Sequence, residues 1–381
     1  MKLDVWHNIL WSRYKAVVLT SLGELCQREG IDLKVYQFAE TEQMRQALTP
    51  IDLSLHRYPM ELIFRGSYEA VPVYRRMLAV ASRAMSTQAD VVLISGYNRP
   101  EHWLKALILR LRGKQIAVFC DSTANDNPRS FLKTLVKRIY FKICPNTFSY
   151  GERARAYVLS LGVKPENAFQ RPQAADLPPD YDAAAIPALR QTQAAPPDAP
   201  RFLYVGRLDP EKALEVLLAA FARVHSQNPA ARLVLVGGGT VTDNLKAHAR
   251  DLDCADAVEF TGPLSKAEIA GQCLRATALV LPSRSEPWGL VVNEALHFGC
   301  PVIVSDACGC VPELVSDPAC GLRMKVDDVD DLAAKLSEAP GHFADAEASA
   351  AAALRVIANN TPEKAAAAIV AGAKELYRRA H

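Results

Sequence analysis

The sequence predicts an α/β protein made of two doubly wound, parallel-sheet domains. Three observations carry that expectation. Short apolar runs alternate with helical patterns of about 10–15 residues, the texture of right-handed βαβ units. The length of 381 residues suits two domains, since a domain usually runs to about 100–200 residues. The alternation also breaks once, over 176–200, where Pro, Ala and Gln dominate and no period is sustained.

In the first half LDVW (3–6) reads as a strand, followed by a helix over 14–29 and a strand in IDLKVY (31–36). DVVLIS (90–95), a helix over 101–112 and QIAVFC (115–120) repeat the unit. The second half restarts with RFLYVG (201–206), a helix over 212–225, RLVLVGGG (232–239) and VEFTG (258–262). ALVLPS (278–283), a helix over 290–298 and PVIVS (301–305) follow, and an Ala-rich helical stretch ends in KELYRRAH. The expected division is 1–175 for the first domain, 176–200 for a linker and 201–360 for the second domain. A closing helix over 361–381 would pack back on the first domain. Ligands of such folds bind at the carboxyl ends of the strands, so a cleft between two facing sheets is the expected site.

Half of the residues are hydrophobic and 23% are charged, which excludes collagenous and disordered classes. Charge is uneven: residues 1–175 hold 25 Lys and Arg against 15 Asp and Glu, a surplus of ten, within a net charge of +2. A basic half suits an anionic substrate or surface, or follows from ordinary variation between domains. The nine cysteines are odd in number and sit beside apolar residues, as in FKIC and FGCPVIV. They read as reduced, buried thiols of a cytosolic protein. Cys300, Cys308, Cys310 and Cys320 cluster without a His or paired CxxC spacing, so no metal site is expected. No apolar run reaches 18 residues and MKLDVWHNIL lacks an h-region, so neither a membrane span nor a secretory signal is expected.

The chemistry concentrates in the second half. GRLDPEK follows the strand FLYV, so Gly206, Arg207 and Lys212 stand at a strand's carboxyl end. An Arg fork and a Lys point charge suit a diphosphate, although a surface turn carries the same residues. In SRSEPWGLVVNEALHFG (283–299), Gly289 opens a helix whose first N–H groups and dipole favour an anion. Glu286 lies in the loop before it and Glu294 eight residues further on, inside the helix. Carboxylates at those positions can accept hydrogen bonds from the hydroxyls of a sugar and of a ribose.

GRLDPEK, then SEPWGLVVNEA with its E-x7-E spacing (Glu286, Glu294), then SDACGCVPELV (305–315), together with VEFTGPLS (258–265), resemble glycosyltransferase family 4. The likeness covers residues 201–320. It implies a GT-B fold of two Rossmann-like domains and a retaining transfer of a sugar from a nucleoside-diphosphate sugar. It implies that Arg207 and Lys212 hold the donor diphosphate, that Glu286 meets the donor sugar and that Glu294 meets the ribose. Backbone N–H groups of Gly289, Leu290 and Val291 would meet phosphate or sugar, with no cofactor and no catalytic metal. Cys310 stands where a second glycine is common and is expected to narrow the pocket near the sugar. The donor base, UDP, GDP or ADP, stays open. A cell-surface or exopolysaccharide glycan, on a lipid carrier or free, is the acceptor the likeness suggests.

The first half matches less. Where relatives carry a glycine pair after the first strand, this chain has HNILWSRYK. Ser12, Arg13 and Lys15 are the acceptor-side or phosphate candidates there, or else Ser12 is simply a helix N-cap. Asp121, after QIAVFC, replaces a His of many relatives; it either orients or deprotonates an acceptor hydroxyl or closes a turn. His7, His56 and His102 are lesser candidates. The segments 102–114 and 129–143 interleave cations with apolar residues, as helices do that lie on anionic bilayers; core helices with snorkelling lysines have the same pattern. A cytoplasmic protein peripheral to the inner face of the membrane would follow. No recognition motif points to nucleic acid. LVLVGGGT (233–240) lacks the GxGxxG register of a dehydrogenase. A nucleotide-sugar epimerase or hydrolase, and a catalytically silent scaffold subunit, are the alternatives to a transferase.

Overall fold

The computed structural model describes residues 1–43, 51–125 and 131–380. The chain divides into two units, residues 1–176 with 360–381 and residues 177–359. The first unit runs β1 (Lys2–Ile9), α1 (Arg13–Arg28), β2 (Asp32–Thr41), β3 (Met60–Ser67), α2 (Val73–Ser86), β4 (Val91–Ile94) and α3 (Pro100–Leu111). It continues with β5 (Gln115–Cys120), α4 (Phe131–Ile143), β6 (Asn146–Tyr150), α5 (Gly151–Ser160) and β7 (Ala168–Arg171). The strands form one parallel sheet in the order β3-β2-β1-β4-β5-β6-β7. The order reverses between β1 and β4.

Period-two alternation explains why VVLI reads as an unbroken apolar run. Val91 and Leu93 face one core, while Val92 and Ile94 face the other. A sheet covered by helices on both faces buries every side chain of its central strands. One face is covered by α2, α3, α4 and α5, through Val80, Ala106, Tyr140 and Val158 among others. The other is covered by α1, through Val18, Leu19 and Leu22.

The second unit opens with α6 (Ile186–Gln193), β8 (Arg201–Val205), α7 (Leu214–Gln227), β9 (Arg232–Val236), α8 (Thr242–Asp251), β10 (Val258–Gly262) and α9 (Lys266–Arg275). There follow β11 (Ala278–Leu281), α10 (Leu290–His297), β12 (Val302–Ser305), α11 (Val311–Leu314), β13 (Gly321–Met324), α12 (Val329–His342) and α13 (Ala346–Ile357). Its parallel sheet has the order β10-β9-β8-β11-β12-β13, reversing between β8 and β11.

The stretch expected as a linker carries α6, which is part of the second unit. Its Arg190 is fully buried, and Nη1 donates to the carbonyls of Cys273, Leu274 and Ala276 at 2.7–3.0 Å. Those carbonyls lack helical partners at the C-terminus of α9, so one guanidinium satisfies and charge-matches that helix end. Two anchors, Ile186 and Arg190, hold a segment whose composition otherwise reads as loop.

The chain then returns to the first unit as α14 (Pro362–Arg378). Ala365, Ala366, Ile369, Val370, Ala373 and Leu376 pack beside α1 on the same core. Each large apolar side chain buried there contributes about 1.5–3 kcal/mol. Gly372 lets the helix approach the sheet, because a Cβ there would lie 2.5 Å from the Phe148 ring.

Candidate functional site

The reversal between β8 and β11 puts the loops after these two strands side by side at their carboxyl ends. In the first loop the Tyr204 hydroxyl donates to the Arg207 carbonyl at 2.7 Å and fixes the turn out of β8. The loop lies directly on the glycine run after β9. A Cβ on Gly237 would stand 2.0 Å from the Gly206 carbonyl oxygen, and one on Gly239 would stand 2.3 Å from that of Leu208. Asp209 accepts from both the backbone N–H and the hydroxyl of Thr240 at 3.0 Å. The backbone donor first, then the hydroxyl and the nearby cations, hold its carboxyl below the usual carboxylate range. A single turn over Pro210–Lys212 follows, and buried Ala213 takes the left-handed conformation (φ +52°) before α7 starts.

The second loop is tied to the first. The Arg284 backbone N–H donates to the Glu211 carbonyl at 2.9 Å, and its Nη1 donates to that of Pro210 at 2.8 Å. Its guanidinium also pairs with Glu215, and with Asp327 at 2.7 Å. Further along, Trp288 is buried and donates from Nε1 to Asn293 Oδ1 at 2.7 Å. Gly289, at φ +99°, is the N-cap of α10 and supplies no side-chain cap. The first N–H groups of that helix, from Leu290 and Val291, therefore have no capping side chain, the arrangement that favours an anion.

Lys212 Nζ and Glu286 Oε2 lie 2.6 Å apart, joining the two loops across the reversal point. Both side chains are mostly buried, at 12% and 19% exposure. Arg207 is more open and pairs with Asp209, and with Glu211 at 2.8 Å. The structure places Gly206, Arg207 and Lys212 after β8 and Glu286, Gly289, Leu290 and Val291 after β11, with the Lys212–Glu286 pair joining the two groups. Glu294 sits inside α10, and its charge acts on the buried Cys273 thiol. Cys310 does not narrow an open pocket. Its thiol is fully buried behind Gly289, 3.4 Å from where a Cβ on that glycine would stand.

Asp209 and Arg284 lie inside GRLDPEK and SRSEPWG, and Asp327 lies outside any motif. None is singled out by its sequence, because the partner that gives each its role, Thr240, Glu215 or Arg284, is far along the chain. The glycine run Gly237–Gly239 matches no dinucleotide fingerprint. Its function here is steric, giving the β8 loop room.

In the first unit Ser12, Arg13 and Lys15 follow β1 and Asp121 follows β5. Ser12 is the N-cap of α1 but forms no side-chain capping bond. Arg13 is bound by two carboxylates, Asp176 at 2.8 Å and Asp52 at 3.0 Å. Lys15 is bonded to the Tyr150 hydroxyl, and its ammonium lies 4.6 Å from that ring's centroid. Burial pushes the Lys15 pKa down, with Arg171 adding to the shift. Asp121 is exposed at the end of β5, and its charge acts on Tyr14, Lys15 and Tyr150. Arg171 is buried and stacks on Tyr150 at 4.0 Å and on Phe119 at 4.6 Å.

Three histidines of the first unit, His7, His56 and His102, are held neutral. His7 Nδ1 lies 3.0 Å from Gln37 Oε1, whose amide donates to Tyr58 at 2.7 Å, and His56 Nδ1 lies 2.5 Å from the same hydroxyl. Burial, then the Lys15 charge, lowers His7 to about 3; burial also lowers His56 and His102. His102 Nε2 lies 3.5 Å from Ser95 Oγ, which donates to Asn8 at 2.7 Å.

All nine cysteines are buried and unpaired. Among the described residues no group of His, Cys, Asp and Glu has the geometry to hold a metal ion, and no helix is long and apolar enough to cross a membrane. Of the basic segments, 102–114 lies mostly in α3, where Lys105 is buried over the Trp6 ring at 3.7 Å and does not snorkel to solvent. The other segment contains α4; Arg129 lies outside the described residues.

Residues 185–339 match the model of the family Glycosyl transferases group 1. Over 161 residues the chain is 35% identical to a glycogen synthase of Mycobacterium tuberculosis, a match covering 39% of this chain and 38% of that protein. The chain thus spans well under half the length of the curated relatives it matches. Solved structures match along its whole length. The sucrose-phosphate synthase of Thermosynechococcus elongatus aligns with a TM-score of 0.71 at 19% identity, covering all of both chains. HepE of Anabaena, solved in complex with UDP-glucose, aligns with a TM-score of 0.65 at 16% identity, covering 100% of this chain and 99% of that one. At such identities the likeness concerns the fold, which is that of GT-B glycosyltransferases, two parallel-sheet Rossmann-like domains.

Proposed function

We propose that the protein is a retaining glycosyltransferase that moves a sugar from a nucleoside-diphosphate sugar to a glycan or lipid-linked saccharide, in the synthesis of a cell-surface polysaccharide or exopolysaccharide. The observation that carries this reading is the Lys212–Glu286 pair across the strand-order reversal of the second unit, next to the uncapped start of α10. Open α/β sheets bind their ligands at that point.

In this reading Lys212 and Arg207 take the diphosphate as point charge and fork, with the Gly289, Leu290 and Val291 amides turned towards phosphate or sugar. Glu286 accepts from hydroxyls of the donor sugar, and Glu294 accepts from the ribose. The bond between the anomeric carbon and the diphosphate oxygen breaks as the acceptor oxygen bonds to that carbon. The electron pair leaves on the diphosphate, where the two cations and the helix N-terminus stabilise the growing charge without a metal ion. Asp121 is the carboxylate proposed to orient the acceptor hydroxyl or take its proton.

A thermal-shift screen against UDP-, GDP- and ADP-sugars tests the donor reading, because a ligand of the folded state raises the melting temperature. One nucleotide series is expected to stabilise, and Glu294→Ala is expected to abolish the shift. No stabilisation by any of the three would sink the proposal. Binding without turnover on any acceptor extract would favour the silent scaffold.

A further inference from the structure

The helical layer α2–α3–α4 of the first unit is an unusual surface. Among the described residues fourteen large hydrophobic side chains are exposed, and eleven of them lie on these three helices. Tyr74 and Leu78 on α2, Leu111 on α3, and Phe131, Leu132 and Val136 on α4 are each at least half exposed. The helices pack on one face of the sheet, so their outer sides form one layer. Isolated apolar residues on a surface are ordinary, but a concentration of this kind marks a docking face.

Charge identifies the occupant. The three helices carry nine Lys and Arg and one carboxylate, Glu101, which is fully buried. Arg75, Arg110, Lys133, Arg138 and Lys142 stand exposed among the apolar side chains. Between α3 and α4 a groove of about 660 Å³ is walled by Trp103, Leu132 and Val136, with Arg99 and Lys133 also lining it. Protein interfaces deplete lysine at their centres. Cations interleaved with leucine and aromatic side chains fit the headgroup and acyl boundary of an anionic bilayer.

We infer that the outer face of α2, α3 and α4 docks the protein on an anionic phospholipid surface, with α2 contributing apolar contact beside α4. The apolar side chains enter the acyl boundary and the cations meet lipid phosphates. This surface needs no nucleotide and stands independently of the donor-site reading.

The test is co-sedimentation of the whole protein with vesicles of phosphatidylglycerol and phosphatidylcholine in equal parts, beside vesicles of phosphatidylcholine alone, at about 0.1 M salt. The protein is expected to pellet with the mixed vesicles only, and less as salt rises. Leu78→Ser with Leu132→Ser is expected to weaken binding more than about tenfold. The melting temperature and any shift by nucleotide sugar should stay unchanged, since both side chains are largely exposed. Lys133→Glu with Arg138→Glu is expected to abolish the preference for anionic vesicles. Equal binding to both vesicle types, or none to either, overturns the proposal. So does a dimer in sedimentation velocity that Leu78→Ser with Leu132→Ser dissolves, because the occupant is then a second copy. Loss of the nucleotide shift with vesicle binding intact counts against the donor reading alone.

Discussion

The Lys212 ammonium and the Glu286 carboxylate, 74 positions apart in the chain, form an ion pair of 2.6 Å between the loops that follow β8 and β11. Without ligand, the cation proposed for the donor diphosphate is neutralised by the carboxylate proposed for the donor sugar. In the proposed reading a bound donor would take both partners, each at its own end.

Glu286→Gln separates these roles. The amide keeps the shape but releases Lys212 from its counter-charge. Binding of the nucleoside diphosphate alone is expected to hold or tighten by a few-fold, while turnover of the nucleotide sugar falls by about two orders of magnitude. Isothermal titration and a transfer assay read the two quantities. Weaker diphosphate binding in Glu286→Gln would show that Glu286 positions Lys212 rather than restrains it.

Arg284 is the clamp between the same two loops. Arg284→Ala removes hydrogen bonds to Pro210 and Glu215 and the pair with Asp327. The group is partly exposed, so global stability is expected to drop by no more than about 1 kcal/mol. Donor KM is expected to rise several-fold as the loops lose register. A KM at the wild-type value would show that the pair Lys212–Glu286 holds the loops together without it.

Gly237→Ala tests the steric basis of the site. The new methyl would meet the Gly206 carbonyl oxygen at 2.0 Å on a backbone at φ +126°. Both the clash and the dihedral oppose it, so a loss of about 3 kcal/mol or more is expected in urea unfolding. Gly238→Ala, at a position where a Cβ meets nothing within 4 Å, is the control and should be nearly neutral.

Acid should unfold the first unit early, and His7 gives the sign. In the folded protein it stays neutral down to about pH 3, whereas in the unfolded chain it takes a proton near the ordinary imidazole value of 6.5. The unfolded state therefore binds more protons between those values, and stability falls as pH drops through that window. His7→Gln removes this titration, so its stability should decline less between about pH 6.5 and pH 4. Parallel curves for the two proteins would place the acid sensitivity in His56 and His102.

The two loops proposed to hold the donor were legible as strand-end loops because their pattern is local in sequence. Gly206 to Lys212 and Glu286 to Glu294 each follow a buried strand, and apolar runs such as FLYV and ALVL announce such strands. What stayed hidden depends on partners far along the chain. Arg190 looks like a linker cation until the C-terminal carbonyls of α9 arrive. Arg284 looks like a loop residue until Asp327 does. In the first unit α2 and β3 were missed: VYRRMLAVASRAMS leaves several of its apolar side chains in solvent, and MELIFRGS is only partly buried. Neither carries the clean pattern of a buried element.

The return of α14 to the first unit has a consequence for biosynthesis. The sheet of β1 to β7 acquires the helix that covers its Val91 and Leu93 face beside α1 only after residues 177–359 have been synthesised. On the ribosome the second unit is contiguous and can close its own core first. The first unit, though translated earlier, must wait with an apolar face covered only in part, by α1, until residues 360–381 are made. Premature termination near Asn359 would thus release a chain whose second unit can fold and whose first unit offers the face left open by α14 to chaperones and proteases.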